Sequence, residues 1–189
     1  NETSKKRLVV SFPGGRGDEI PLLYFGAKVF EDKGYEKIFV KHTADGNREF
    51  DALCENARQV LGNIDWTTCE DVDFVAKSIG TEVACILREE LGVNATMILF
   101  TPLQETLPYM KKDSKIALVA AGAKDRYLDA CVLQEYCRKE QISCYIEPNV
   151  GHRMEVMNDL SRNLEILGNV IEKVVEYVAA YGVEDEAAL

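Results

Sequence analysis

Six short, almost uninterrupted apolar runs, each followed by a segment of helical period or a loop, constrain this chain more than any other feature. The runs are Arg7–Phe12, Lys37–Lys41, Val72–Ala76, Thr96–Thr101, Lys115–Ala121 and Ser143–Glu147. Between them the spacing predicts helices over Pro21–Lys33, with Pro near the first turn and Gly34 as its stop, and over Asn47–Leu61 after the turn Ala44-Asp-Gly46. Further helices are expected over Thr81–Leu91, ending at Gly92, within Pro102–Lys112, and over Arg126–Gln141. The last runs from about Met154 to Tyr181, with apolar residues at 156, 157, 160, 164, 167, 170, 171, 174, 175 and 178. Strands that are apolar throughout, rather than on alternate residues, are buried on both faces, as in parallel sheets covered by helices. Right-handed crossovers then bring every strand's C-terminal end to one edge, where chemistry gathers in such folds. The expectation is an α/β protein: a three-layer α/β/α sandwich with a mostly parallel six-stranded sheet, in one domain over residues 1–189. The acidic tail Gly182–Leu189 is expected to fray.

Composition narrows the partners. With 189 residues, 47% of them hydrophobic, the chain is long enough for a sizeable core. Its formal net charge of −10 repels phosphate backbones and anionic bilayers, which argues against nucleic acid and membrane surfaces as partners. No apolar run approaches the roughly 20 residues that span a bilayer. No basic-then-apolar signal segment opens the chain. The six cysteines, at 54, 69, 85, 131, 137 and 144, match no disulfide framework and include no Cys-x-x-Cys pair. They are expected to be reduced and mostly buried, with Cys85, Cys131 and Cys144 in apolar contexts, as in a cytoplasmic protein. With only two histidines, neither a metal site nor a cofactor is expected.

The run Asp71-Val-Asp-Phe-Val-Ala-Lys-Ser-Ile-Gly-Thr81 carries the chemistry. An apolar strand passes through the small-x-Ser-x-small turn Ala76-Lys77-Ser78-Ile79-Gly80 into a helix. Such a sharp turn exposes the Ser78 hydroxyl and lays helix N-terminal N–H groups beside it, which suits a nucleophile whose attack creates an oxyanion. Small flanking residues are needed because strand and helix backbones pass close together. Three other loops should open on the same edge: Pro13-Gly-Gly-Arg-Gly17, Gly122-Ala-Lys-Asp125 and Asn149-Val-Gly-His152. A serine hydroxyl needs a base, for which His152 is placed, and the imidazole needs a carboxylate to fix its tautomer, for which Asp125 is placed. Ile79 and either Gly14 or Gly15 can offer N–H groups to the oxyanion. The run Thr101-Pro102-Leu103 also reaches this edge as pocket lining, and Arg16, Thr101 and Pro102 are the candidate substrate contacts. The competing readings are Ser78 as a helix cap, Asp129 as the acid, His42 as the base, and the loop 13–17 as a phosphate cradle. That loop, however, lacks the full dinucleotide spacing.

These residues together resemble the α/β-hydrolase family over nearly the whole chain, about Lys6 to Tyr181. The order Ser78…Asp125…His152 follows that family's order. The acid follows the second strand after the nucleophile's, and the histidine follows the next. Gly122-x-x-Asp125 and Gly151-His152 are similar to family signatures. The chain departs in having Ala76 at the first glycine of the elbow, Pro-Gly-Gly in the first loop, no counterpart of the family's first two strands, and a segment 102–114 too short for a lid domain. The resemblance implies a compact, capless serine hydrolase that cleaves esters, thioesters or amides of small acyl substrates through an acyl-enzyme. The alternative is a ligand- or partner-binding protein on the same fold. Oligomeric state is left open.

Overall fold

The computed structural model describes the backbone of residues 5–186 and the side chains of residues 5–180. Six strands form one all-parallel sheet: β1 (Lys6–Phe12), β2 (Glu36–Phe39), β3 (Cys69–Lys77), β4 (Thr96–Phe100), β5 (Ile116–Gly122) and β6 (Cys144–Glu147). Their spatial order is β2-β1-β3-β4-β5-β6. The helices are α1 (Pro21–Glu31), α2 (Phe50–Leu61), α3 (Ile79–Glu90), α4 (Ala130–Glu140) and α5 (Leu160–Glu186).

The strand pattern explains the layers. Along each central strand, alternate residues enter one of two apolar clusters. Val9, Val75, Ile98, Phe100, Leu118 and Ala120 face α1 and α5, packing on Leu23, Ala27, Ile166, Val170 and Val174. Val10, Phe74, Ala76, Met97, Leu99 and Val119 face the other way, onto Leu53, Ala57, Val83, Leu87 and Leu133 of α2, α3 and α4. Both faces are therefore covered, and period-2 amphipathicity vanishes from the strands.

Chain order reverses between β1 and β3. From β1 the chain moves outward to β2, and from β3 it moves the opposite way to β4, β5 and β6. The loops after β1 and β3 thus diverge, leaving a crevice at the carboxyl end of the sheet, the place where such sheets bind ligands. Pro13–Gly17 and Ser78 border it.

All six strands stand where the sequence places them, within a few residues. Helix starts differ more, because polar side chains hold the preceding turns. Asp45 accepts from Asn47 N and Asn47 from Glu49 N, so α2 opens at Phe50 rather than Asn47. Asp125 accepts from Tyr127 N, and Asp129 caps α4 by accepting from Cys131 N and Val132 N, so that helix opens at Ala130 rather than Arg126. Left-handed Met154 (φ 59°) and Asn158 (φ 57°) interrupt the apolar pattern before α5, and Asp159 accepts from Arg162 N at its start. Residues 102–112 hold only a 3-10 segment, Gln104–Tyr109. Helix α5 continues through Gly182 to Glu186, where fraying was expected; the rest of the tail lies outside the described residues. Cys131 is exposed on the outer face of α4 rather than buried, whereas Cys54, Cys85 and Cys137 are buried, and all six thiols are free. Among the described residues, no helix is long and apolar enough to cross a membrane.

Candidate active site

Strand β3 hands over to α3 at Ser78, whose backbone takes φ 55°, ψ −127°, a conformation seldom adopted outside glycine. The turn is held from both sides. Ser78 N donates to Phe100 O at 3.0 Å, and Thr81 N and Oγ1 donate to Ser78 O at 2.9 and 2.6 Å. Gly80 shows why the turn needs a small residue: a Cβ there would stand 2.4 Å from Pro13 O and 2.6 Å from Phe12 O. The elbow and the end of β1 touch backbone to backbone.

A second tight approach joins the loops after β5 and β6. A Cβ on Gly122 would meet Val150 O at 2.3 Å and Gly151 O at 2.7 Å. Lys124 N donates to Val150 O at 2.8 Å. Asp125 and His152 ride on these two fused loops.

The three expected side chains meet. Ser78 Oγ lies 2.7 Å from His152 Nε2, and His152 Nδ1 lies 2.7 Å from Asp125 Oδ2. The Asp125 carboxyl is 1% exposed. Burial alone would raise its pKa, but the His152 bond and the Tyr127 N–H, 2.9 Å from Oδ1, outweigh burial and hold it below the ordinary 3.8. An ionised Asp125 only accepts, so His152 Nδ1 donates to it, leaving Nε2 of a neutral imidazole as the acceptor for the serine hydroxyl. Tyr127 also lays its ring against the imidazole, centroids 4.5 Å apart.

A cavity of about 410 Å³ opens over this chain of hydrogen bonds, walled by Gly14, Gly15, Ser78, Ile79, Leu103 and Tyr127. It falls within the usual range for small-molecule sites. A Cβ on Gly14 would lie 3.5 Å from Ser78 Cβ, and one on Gly15 would lie 3.9 Å from Ile79 Cγ2. Among the described residues, neither Gly14 N nor Gly15 N donates to a backbone carbonyl. The N–H of Ile79 sits in the first turn of α3, where intrahelical acceptors are lacking. A second, largely apolar groove of about 320 Å³ adjoins the cavity through Ile20, Arg153 and Glu155, and runs between Phe25 and Leu160, Leu164 and Leu167.

The alternatives separate cleanly. Asp129 is committed to capping α4, and it is the Asp125 carboxylate that meets His152. His42 packs beneath the first loop, where a Cβ on Gly17 (φ 78°) would stand 2.7 Å from its Nδ1. It lines a small pocket with Phe12, Pro13 and Leu53 that does not include Ser78. Arg16 lines the cavity mouth but is exposed and pairs with Asp18 at 3.5 Å. Thr101 and Pro102 do not line the cavity. Both are buried behind its wall, and Leu103 is the residue of that segment that reaches the lining. Sequence reasoning missed Tyr127, Glu155 and Lys77 as cavity residues. Lys77 left a signal, an ammonium directly after the apolar run Phe74-Val-Ala76 and next to the serine.

No family model matches the chain, and no curated protein matches it. Solved structures do. An alpha-beta serine hydrolase homologue from Coxiella burnetii superposes with a TM-score of 0.65 at 12% identity, over 88% of this chain and 84% of that one. Est1E from Butyrivibrio proteoclasticus gives 0.65 at 12% identity, over 94% and 90%. An esterase from Pyrococcus furiosus gives 0.60 at 13% identity, over 90% and 83%. At such identities the likeness speaks for architecture: this chain has the α/β-hydrolase fold, built on six parallel strands.

Proposed function

We propose that the protein is a serine hydrolase of carboxylic esters, with reach to thioesters or amides. The observation that carries this reading is the unbroken line Ser78 Oγ–His152 Nε2 and His152 Nδ1–Asp125 Oδ2, 2.7 Å at each step, at the floor of an open cavity. A binding protein on the same fold has no need of a serine held in a strained turn within hydrogen-bond reach of a base.

Ser78 Oγ attacks the ester carbonyl as His152 Nε2 takes its proton. The carbonyl π electrons move onto oxygen, and the N–H groups of Ile79 and of Gly14 or Gly15 receive the negative charge. Collapse expels the alkoxide, which takes the proton from Nε2 and leaves an acyl-Ser78 ester. Water then repeats the sequence: Nε2 removes its proton, the tetrahedral intermediate breaks, and Ser78 regains the hydrogen as the acid departs. Asp125 stays ionised and stabilises the transient imidazolium. Loss of one oxyanion donor should cost on the order of 10²–10³ in rate, and loss of Ser78 or His152 still more.

The test is labelling with a fluorophosphonate probe, alongside turnover of short p-nitrophenyl esters. The parent protein should label and turn over, and Ser78→Ala should do neither. Equal labelling of Ser78→Ala and the parent would rule the mechanism out.

A further inference from the structure

Lys77 precedes Ser78 and, among the described residues, is the one basic side chain that is buried, at 6% exposure. An ammonium out of water is costly unless its donors are used. Two of them are: Nζ donates to Thr101 Oγ1 at 2.8 Å and to His152 O at 3.0 Å. The acceptors come from separate loops, one after β4 and one after β6. Thr101 is itself fixed, left-handed at φ 46°, with its N–H on Ala120 O at 2.7 Å. One side chain therefore ties the elbow to the end of β4 and to the main chain of the residue that carries the imidazole. A methionine at 77 would fill similar space without desolvating a charge.

We propose that Lys77 is a positioning residue for the Ser78–His152 pair: its ammonium anchors the main chain of His152 to the elbow and so holds Nε2 at the distance from which it accepts the serine proton. The inference rests on the hydrolase reading above. It differs from mere core filling because the anchor titrates. Burial lowers the Lys77 pKa to about 8; Asp125 and Glu155 favour the ammonium, and Arg153 opposes it. A charge-assisted bond is roughly twice as strong as a neutral one, so the grip on His152 O weakens as pH rises through that value.

The experiment measures the fluorophosphonate labelling rate of the whole protein across pH for the parent, Lys77→Met, Lys77→Arg and Ser78→Ala, with melting temperatures taken at each pH. The parent rate should step down on the alkaline side, with a midpoint near 8. Lys77→Met should label on the order of 10²-fold more slowly at neutral pH, the scale of a misplaced reacting group, and should lack the alkaline step. Lys77→Arg keeps donors and charge; it should label faster than Lys77→Met and should also lack the step. Labelling of Lys77→Met within about threefold of the parent, or an alkaline step that survives in it, overturns the proposal. If neither substituted protein folds, the parent profile decides: no step between about pH 7 and 9 overturns it. Parent-like Lys77→Met with silent Ser78→Ala sinks the role of Lys77 alone. Undiminished Ser78→Ala sinks the hydrolase reading, and this inference with it.

Discussion

Replacing Asp73 by Asn should stabilise the protein, and the gain should grow with pH. Asp73 lies in β3, toward the end of the sheet opposite Ser78, and is 4% exposed. Among the described residues, its buried Oδ1 has no hydrogen-bond partner. Burial, and then the neighbouring Asp71, push its pKa from 3.8 up to about 7, against the pull of bonds from Tyr177 and Tyr35 and the charge of Arg7. The folded value lies above the unfolded one, so the folded state favours the protonated acid. The stability this confers is fully present below about pH 4 and is lost as pH climbs to about 7. At 1.36 kcal/mol per pH unit the whole loss is about 4 kcal/mol, a large part of a typical folding free energy. Asparagine is isosteric and neutral at every pH. The unfolding free energy of Asp73→Asn minus that of the parent should therefore rise by about 2–3 kcal/mol from pH 5 to pH 8 and level off above. Urea denaturation followed by the fluorescence of Trp66, the chain's single tryptophan, reads this directly. Its ring lies 6.5 Å from that of Phe74, the residue after Asp73. A difference that is constant with pH, or a substituted protein less stable than the parent at pH 8, would refute the reasoning.

Other expectations concern the site and the thiols. Gly80→Ala must displace Pro13 O from 2.4 Å and Gly122→Ala must displace Val150 O from 2.3 Å; each should lower the melting temperature and cut esterase turnover by on the order of 10²-fold. Asp125→Asn should leave the fold intact and reduce kcat by on the order of 10³–10⁴, through the wrong histidine tautomer. If a substrate's hydrocarbon chain occupies the apolar groove beside the cavity, kcat/KM should rise by about fourfold per added methylene over a p-nitrophenyl ester series. Leu164→Glu, which places a carboxylate in the groove wall, should flatten that slope without affecting the acetate ester. Ellman's reagent should modify exposed Cys131 quickly in the native protein and reach buried Cys85 and Cys137 only on unfolding. Burial also raises the Cys85 thiol to about 12.

The parallel sheet was legible because burial on both faces leaves a mark that needs no partner to be read: Val9, Val75 and Ile98 go one way, Val10, Phe74 and Met97 the other, and all are apolar. Ser78, Asp125 and His152 were legible because topology brings loop residues to one edge whatever the loops' details. What failed was local. The start of α2 depends on Asp45 and Asn47 taking backbone N–H groups, and the approach to α5 on left-handed Met154 and Asn158. Helical period does not register such competition. Of the run Thr101-Pro102-Leu103, expected at this edge, only Leu103 turns inward; Thr101 and Pro102 were the wrong choice of contacts because reaching the edge does not say which residue of a loop faces the cavity. Lys77 went unused because the sequence reading ends the strand at Ala76 and gives Lys77 only the variable position of the turn, whereas two acceptors from distant loops make its burial tolerable.

The backbone of Ser78 has a consequence for how this protein can evolve. Its φ of 55° with ψ −127° is easy for glycine and costs a serine on the order of 1–3 kcal/mol. A descendant that replaced this serine with glycine would be the sturdier molecule and, on the hydrolase reading, an inert one. If Ser78 is the nucleophile proposed above, drift toward robustness and retention of chemistry pull this single codon in opposite directions, and a lineage that had abandoned the reaction would be free to relax to glycine here.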